Sequence, residues 1–239
     1  MNPFNRISSF SRSFGNGMIN SLPISYLIHT NGVKEQGKDT DKCSFYAIAS
    51  CFEPLVNTEI VPDRTYNLAK TKQNKTGFEL GWACSFACEN GFTDTLGNDI
   101  KNQYIKPYKV DGSHDVFDNI RTALDITKLP IVSSAYWKPE WTFAANGVVQ
   151  DSINKGGEPH AFCVIGWNEN NLVIQNSKGK KVGDKGLFYF DRYLVNKYFL
   201  DSFCFKEVAE KDTFTLAVFK KIVSSLLKCY NTRHEPSHS

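Results

Sequence analysis

Two residues of this 239-residue chain have the type and position that covalent catalysis needs, and the first is Cys43. It follows the polar segment Asp39-Thr40-Asp41, which supplies good helix N-caps, and it opens KCSFYAIASCFEPLV, whose apolar residues repeat at helical spacing. The attacking form of cysteine is the thiolate, and the positive end of a helix dipole or a nearby imidazolium lowers a thiol pKa. Cys43 is therefore a candidate nucleophile, although a helix cysteine is more often a core residue.

The second residue is His160, a candidate base. It opens HAFCVIGWN, which has the pattern of a buried strand and follows the turn at 156–159. Asn176 lies sixteen residues later at the end of the next strand, NLVIQN, and the hairpin WNENNL allows both side chains to share one face. A neutral Asn can accept a hydrogen bond from an imidazole and hold its orientation. A histidine in such a strand is by itself more often structural.

The elements that position these residues change in character along the chain. Helical patterns come first: the segment after Cys43, which Pro54 is predicted to end, then GWACSFACENGF with Asn90-Gly91 as its C-cap, then residues 115–127. Short β-rich segments follow, namely LPIVSSAYW, HAFCVIGWN, NLVIQNS and GLFYFDRYL. Helices followed by strands predict an α+β fold with two segregated halves.

Composition excludes several classes of protein. Hydrophobic residues make up 41% and charged residues 22%, and the net charge of +3 is too small to imply nucleic-acid binding. No apolar run is long enough to span a membrane, and the first residues lack the apolar core of a signal peptide. Seven cysteines without a CxxC pair, and histidines without metal-ligand spacing, predict mostly reduced thiols, no metal and no cofactor. We expect a cytoplasmic or virion-associated protein.

In this order the motifs resemble those of papain-like cysteine peptidases. VKEQGKDTDKCSFYA resembles the segment that carries the oxyanion glutamine and the nucleophile. EPHAFCVIGWN resembles the histidine strand, and LVIQNSKGKKVGDKGLFYF the asparagine segment. GWACSFACENGF, QYIKPY and LPIVSSAYW resemble the intervening segments. The resemblance covers about residues 23–205, and the order and spacing of the motifs make chance unlikely.

The resemblance implies a role for each matched residue. Cys43 becomes the nucleophile, His160 its ion-pair partner and the acid that protonates the leaving amine, and Asn176 the residue that orients His160. The Gln36 side chain and the Cys43 backbone N–H form the oxyanion hole. The substrate is a polypeptide, without nucleic acid or cofactor. Four further residues are implied to contact the substrate: Gly77, Phe78, Ser134 and Pro159.

The resemblance also implies the architecture. We expect a papain-like two-lobed domain over 23–207, with a helical half at about 30–115, an antiparallel β-barrel-like half at about 116–207, and the active-site cleft between them. Residues 1–22 are predicted to be a mobile tail. Because only about twenty residues precede the matching region, we expect no pro-domain.

Three departures from the family pattern predict a divergent member. Thr40 stands where the family has a disulfide-forming cysteine, and Ser44 follows the nucleophile where the family has tryptophan. Lys178 replaces the tryptophan that shields the hydrogen bond between the histidine and the asparagine. Trp137 or Trp167 is the candidate to cover that bond instead.

Alternatives remain open at this point. A papain-fold structural or binding protein, such as a virus or phage particle component with a vestigial triad, fits the same sequence, as does another acyl transfer such as amide exchange or deubiquitination.

Residues 208–239 are predicted to hold an amphipathic helix, Asp212–Tyr230, and a polar tail. The apolar face of this helix can dock on the enzyme itself, on a protein partner or on an anionic membrane surface.

Overall fold

Helices precede most of the sheet in the computed structural model, which describes residues 22–37, 40–100, 105–153 and 156–207. The helices in these residues are α1 (Cys43–Val56), α2 (Asp63–Gln73), α3 (Leu80–Asn90), α4 (Val116–Thr127) and α5 (Arg192–Tyr198). The strands are β1 (Ser25–Leu27), β2 (Ile60–Val61), β3 (Phe92–Asp94), β4 (Asp99–Ile100), β5 (Ile105–Lys109), β6 (Ile131–Trp137), β7 (Glu158–Asn168), β8 (Asn171–Gln175), β9 (Leu187–Asp191) and β10 (Phe199–Glu207). The α+β prediction is confirmed.

The main sheet has seven strands, in the order β5-β10-β6-β7-β8-β9, with β1 added on β7. Strand β7 lies in its middle: it pairs antiparallel with β6, β8 and β1. The prediction of a barrel-like half needs a correction, because the outer strands β5 and β9 do not pair with each other within the described residues, so the sheet stays open. A smaller sheet joins β2, β3 and β4.

Helix α1 differs from the prediction at both ends. A 3₁₀ turn, Thr40–Lys42, leads into it, and its N-cap is Lys42, which makes no side-chain capping bond. The predicted polar cap is therefore wrong. The helix also passes Pro54 and ends at Val56, where Asn57 adopts a left-handed conformation. A proline this close to the end disturbs only the last turn, so it does not stop the helix.

Two hydrophobic clusters hold these elements together. One joins α1, α2 and α3 around Phe45 and Phe52 and reaches the sheet at Cys163. The other packs α4 and α5 on the sheet around Trp141 and Phe190. The α4 prediction is accurate because Asp115 caps the helix, where its carboxylate accepts a hydrogen bond from the backbone N–H of Asp118.

The sequence patterns do not indicate helices α2 and α5. Helix α2 is mostly polar, and only three of its residues are buried, so it carries a weak periodic signal. Helix α5 begins inside GLFYFDRYL, a segment whose apolar pattern predicts one strand, and continues to Tyr198. Asp191 ends β9 and caps α5 by accepting a hydrogen bond from the Leu194 backbone N–H, which divides the segment.

Two predicted segments lie outside the described residues: nearly all of the N-terminal tail, and the C-terminal helix Asp212–Tyr230 with its polar tail. Their predictions stay untested. In the part of the chain that the structure describes, no helix has the length and apolar character to cross a membrane.

Candidate active site

Cys43 is the first residue of α1 and reaches across to the central strand of the sheet. It is partly exposed, whereas the other cysteines of the described residues are buried. The backbone of Ala161 and the backbone and side chain of Ser44 lie close enough to its sulfur to lower the pKa of the thiol. Ala161 directly follows His160 on β7. The fold therefore brings the candidate nucleophile to the strand that carries the candidate base.

His160 is buried and held by Asn176. Its Nε2 lies 2.9 Å from Oδ1 of Asn176, which directly follows β8. The same Oδ1 accepts a hydrogen bond from the backbone N–H of Ser177 at 2.7 Å, which fixes the amide. An amide oxygen only accepts, so Nε2 must carry a proton in this bond. In a neutral ring Nδ1 is then the nitrogen that can accept the thiol proton.

Trp137 covers the imidazole. Its ring centroid lies 5.3 Å from that of His160, with an angle of 69° between the planes. It stands at the end of β6, in a cluster with other aromatic rings, and Ala135 two residues earlier is the register partner of His160. Trp167 instead packs on Tyr26 at 5.0 Å. Of the two tryptophans that the sequence left open, Trp137 shields the base.

Burial keeps His160 neutral. It lowers the pKa of the imidazole from 6.5 to about 4, and the positive charge of Lys178 acts in the same direction. The hydrogen bond to Asn176 opposes this shift because it favours the charged ring, but it is the smaller effect compared with burial. The ring is therefore neutral at neutral pH, with its proton on Nε2, and Nδ1 can act as a base.

Burial also raises the pKa of the Cys43 thiol above its ordinary value of 9.0. Hydrogen bonds from Ala161 and Ser44 and the charge of Lys178 lower it, without reversing the effect. The sequence predicted a low-pKa thiol paired with an imidazolium. Both pKa directions favour a neutral thiol beside a neutral imidazole in the resting protein.

Four other cysteines have surroundings still less suited to thiolate formation: Cys51, Cys84, Cys88 and Cys204. Burial raises the pKa of Cys204 to about 12 and the pKa values of Cys51 and Cys84 well above the ordinary value. Thiols of this kind are inert. The described residues contain no group of three His, Cys, Asp or Glu side chains that could hold a metal ion.

Lys178 has a position in the cleft that its sequence context does not reveal. The sequence marked it only as a lost indole, two residues after Asn176. In the structure it lines the cleft with Cys43 and His160, and its positive charge lowers the pKa of both groups. Its backbone forms an antiparallel bridge with Glu35, in the segment before α1.

Gln36 lies beside the asparagine segment. It is buried, its backbone N–H donates to the Ser177 carbonyl at 2.8 Å, and its Oε1 accepts a hydrogen bond from the Ser177 hydroxyl. It is not among the described residues that line the cleft. The structure thus brings Gln36 next to Asn176, while its role as an oxyanion donor stays a prediction.

A cleft of about 1090 Å³ contains the predicted substrate contacts. It is lined by Cys43 and His160 and by all four predicted contact residues: Gly77, Phe78, Ser134 and Pro159. The Ser44 hydroxyl donates to the Phe78 carbonyl at 3.3 Å, which joins that wall to the start of α1. Their common position is as expected, and their contact with substrate stays a prediction.

No protein-family model matches this sequence, and neither does any curated protein. Solved structures do match. Xylellain, a cysteine protease from Xylella fastidiosa, has a TM-score of 0.71 at 14% identity, over 86% of this chain and 93% of that one. Procathepsin L 3 of Tenebrio molitor larval midgut has 0.63 at 13%, over 85% and 74%. Bromelain from Ananas comosus has 0.59 at 16%, over 79% and 100%. The chain therefore has the fold of the papain-like cysteine proteases.

Proposed function

We propose that this protein is a cysteine endopeptidase that hydrolyses polypeptides through Cys43, His160 and Asn176. One arrangement carries the proposal. Cys43 lies close to the backbone of Ala161, the residue that directly follows His160, and both Cys43 and His160 line one cleft. The His160 ring is hydrogen-bonded to Asn176 at 2.9 Å. A nucleophile beside a base that a third group orients is the arrangement that covalent acyl transfer requires.

The reaction begins from the neutral pair. As Cys43 Sγ attacks the peptide carbonyl, Nδ1 of His160 takes the thiol proton. Nδ1–H then donates this proton to the departing amine, which leaves an acyl group on Cys43. A water molecule attacks the acyl-enzyme while His160 again acts as the base, and the thiol is regenerated. Asn176 holds the imidazole in one tautomer throughout.

The oxyanion is stabilised at the start of α1. Cys43 is the first residue of α1, so its backbone lies at the positive end of the helix dipole. The Cys43 backbone N–H is therefore a suitable donor for the carbonyl oxygen under attack. The amide group of Gln36 is the second proposed donor.

The charge of the cleft favours cationic peptides. Its described lining contains five acidic residues and one basic residue, Lys178. The acids are Asp41, Glu79, Glu140, Glu158 and Asp201. A cleft lined mainly by one sign of charge concentrates substrates of the opposite sign. We therefore propose substrates with lysine or arginine near the cleaved bond.

A cleavage assay on a complex peptide pool tests the proposal. The full-length protein is incubated with the pool across a pH series, and new peptide termini are identified by mass spectrometry. The wild-type protein should generate new termini, enriched near lysine or arginine, and the C43A variant should generate none. Thermal unfolding of both proteins verifies folding. A folded wild-type protein without turnover would instead favour the structural or binding protein with a vestigial triad.

A further inference from the structure

Two cysteines lie in sulfur–sulfur contact in the core. The Sγ atoms of Cys51 and Cys163 are 3.2 Å apart, and both side chains are fully buried. A disulfide bond is about 2 Å long, so a shift of about 1 Å would bring these atoms to bonding distance. Among the described cysteines, no other pair is in such contact.

Each cysteine of the pair lies on an element that carries a reacting group. Cys51 follows Cys43 by eight residues on α1, which corresponds to about 12 Å of helix. Cys163 follows His160 by three residues on β7, about 10 Å of strand. Cys163 is also paired with Val132 on β6 and with Gln175 on β8, so it lies at a rigid position inside the sheet.

We propose that Cys51 and Cys163 form a buried disulfide that ties α1 to β7 when the chain folds in the presence of a small-molecule disulfide. The thiolate of one cysteine attacks the small disulfide, which releases one small thiol and leaves a mixed disulfide. The other cysteine then displaces the second small thiol and completes the protein bond. Two protein thiols are oxidised to one disulfide, while the small disulfide is reduced to two thiols.

The bond stabilises the helix that presents Cys43. The two cysteines are 112 residues apart in sequence, and a disulfide that closes a loop of this size strongly restricts the unfolded chain. Thr40 lacks the sulfur that a bridge near the start of α1 requires. The Cys51–Cys163 bond instead holds α1 from its middle. Since core packing excludes solvent from both sulfurs, exchange must occur before folding is complete.

Peptide mapping of the full-length chain tests the proposal. The protein is folded once in a glutathione redox buffer and once in excess reductant, then denatured, alkylated and digested without reduction. Oxidative folding should give one cross-linked peptide that contains Cys51 and Cys163, with Cys43 recovered alkylated. The Tm of the oxidised protein should exceed that of the reduced protein by about 10 °C.

Two variants distinguish loss of the Cys51–Cys163 disulfide from the general effect of removing a buried cysteine. C51A should lose both the cross-link and the dependence of Tm on the redox state. C84A, which alters another fully buried helix cysteine of the same core, should keep both. If C51A does not fold, C163A serves instead, and the wild-type map needs neither variant.

Recovery of Cys51 and Cys163 as alkylated thiols after oxidative folding would overturn the proposal, and so would a cross-link that joins either of them to another cysteine. The measured quantities are sulfur connectivity and Tm. The result therefore holds whether or not the protein proves to be a peptidase.

Discussion

The two walls of the cleft prepare their reacting groups in different ways. On the sheet side, His160 is buried, covered by Trp137 and hydrogen-bonded to Asn176, so its orientation is fixed before any substrate enters. On the helix side, Cys43 is partly exposed and has no capped helix start beside it. Its thiol pKa is set by burial, by backbone contacts and by one cation, Lys178.

The orientation of the base and the charge of the nucleophile are therefore separate properties of the site. The sheet supplies the first through its register and hydrogen bonds. The second is not built into the resting protein, because burial disfavours both the thiolate and the imidazolium. Substitutions on the two walls should therefore have effects of different kind and size.

The largest effect is expected for H160A, which removes the proposed general base. Because members of a catalytic unit act together, kcat/KM for a cleaved peptide should fall by roughly a million-fold, as for C43A. Steady-state kinetics with both variants test this equality, with circular dichroism as the folding control. Residual activity of H160A far above that of C43A would mean that His160 is not the general base.

The buried neutral histidine should also make stability depend on pH. The unfolded chain binds a proton at His160 below about pH 6.5, whereas the folded protein resists protonation until about pH 4. The free energy of unfolding should therefore decrease as the pH falls through this range, by about 3 kcal/mol from this residue. Urea unfolding of the wild type and H160Q over the range gives the difference. Equal pH slopes for the two proteins would contradict a buried, neutral imidazole.

Loss of the orienting amide should matter less than loss of the base. N176A leaves Cys43 and His160 in place but frees the ring to rotate, so kcat should fall by about a hundredfold with little change in KM. Q175A is the matched control, because Gln175 is the buried neighbour on the chain and binds Thr30 and Gly32 instead. The Q175A variant should have a lower Tm than the wild type but nearly the same kcat. An unchanged kcat in N176A would contradict the proposal that Asn176 orients His160.

The smallest effect is expected at Lys178. K178M removes a positive charge that favours the thiolate, so alkylation of Cys43 at neutral pH should slow by a few-fold. K178R keeps the charge and should restore the rate. K181M, which alters an exposed lysine nearby, should leave the rate unchanged. A K178M rate equal to the wild type would show that the charge does not reach the thiol.

Much of the fold could be predicted because its patterns are local. Helices α3 and α4 and strands β6 to β8 have clear periodicity and end signals. The exceptions have physical reasons: Asp191 divides an apolar segment into β9 and α5, and the polar helix α2 depends on tertiary contacts at Tyr66 and Ala69. Whether the sheet closes into a barrel depends on whether its edge strands pair with each other, and the hydrophobic periodicity of each strand does not determine this.

The residues of the candidate site could be predicted from the sequence, but their protonation states could not. Cys43, His160 and Asn176 could be identified from their positions at element ends and from the order of the motifs. The choice between Trp137 and Trp167 depends on the β6–β7 register, which places Ala135 opposite His160. The neutral resting pair follows from burial, and the sequence alone does not reveal the depth of a side chain.

Active-site labelling shows whether Cys43 is the nucleophile. The native full-length protein is treated with a limiting amount of a thiol-directed epoxide, then analysed by intact mass and peptide mapping. We predict one label per chain, on Cys43, at a rate that falls strongly in H160A, whose Tm is measured in parallel. A label on Cys84 or Cys204, or the absence of label on a protein that is demonstrably folded, would contradict the assignment of Cys43 as the nucleophile.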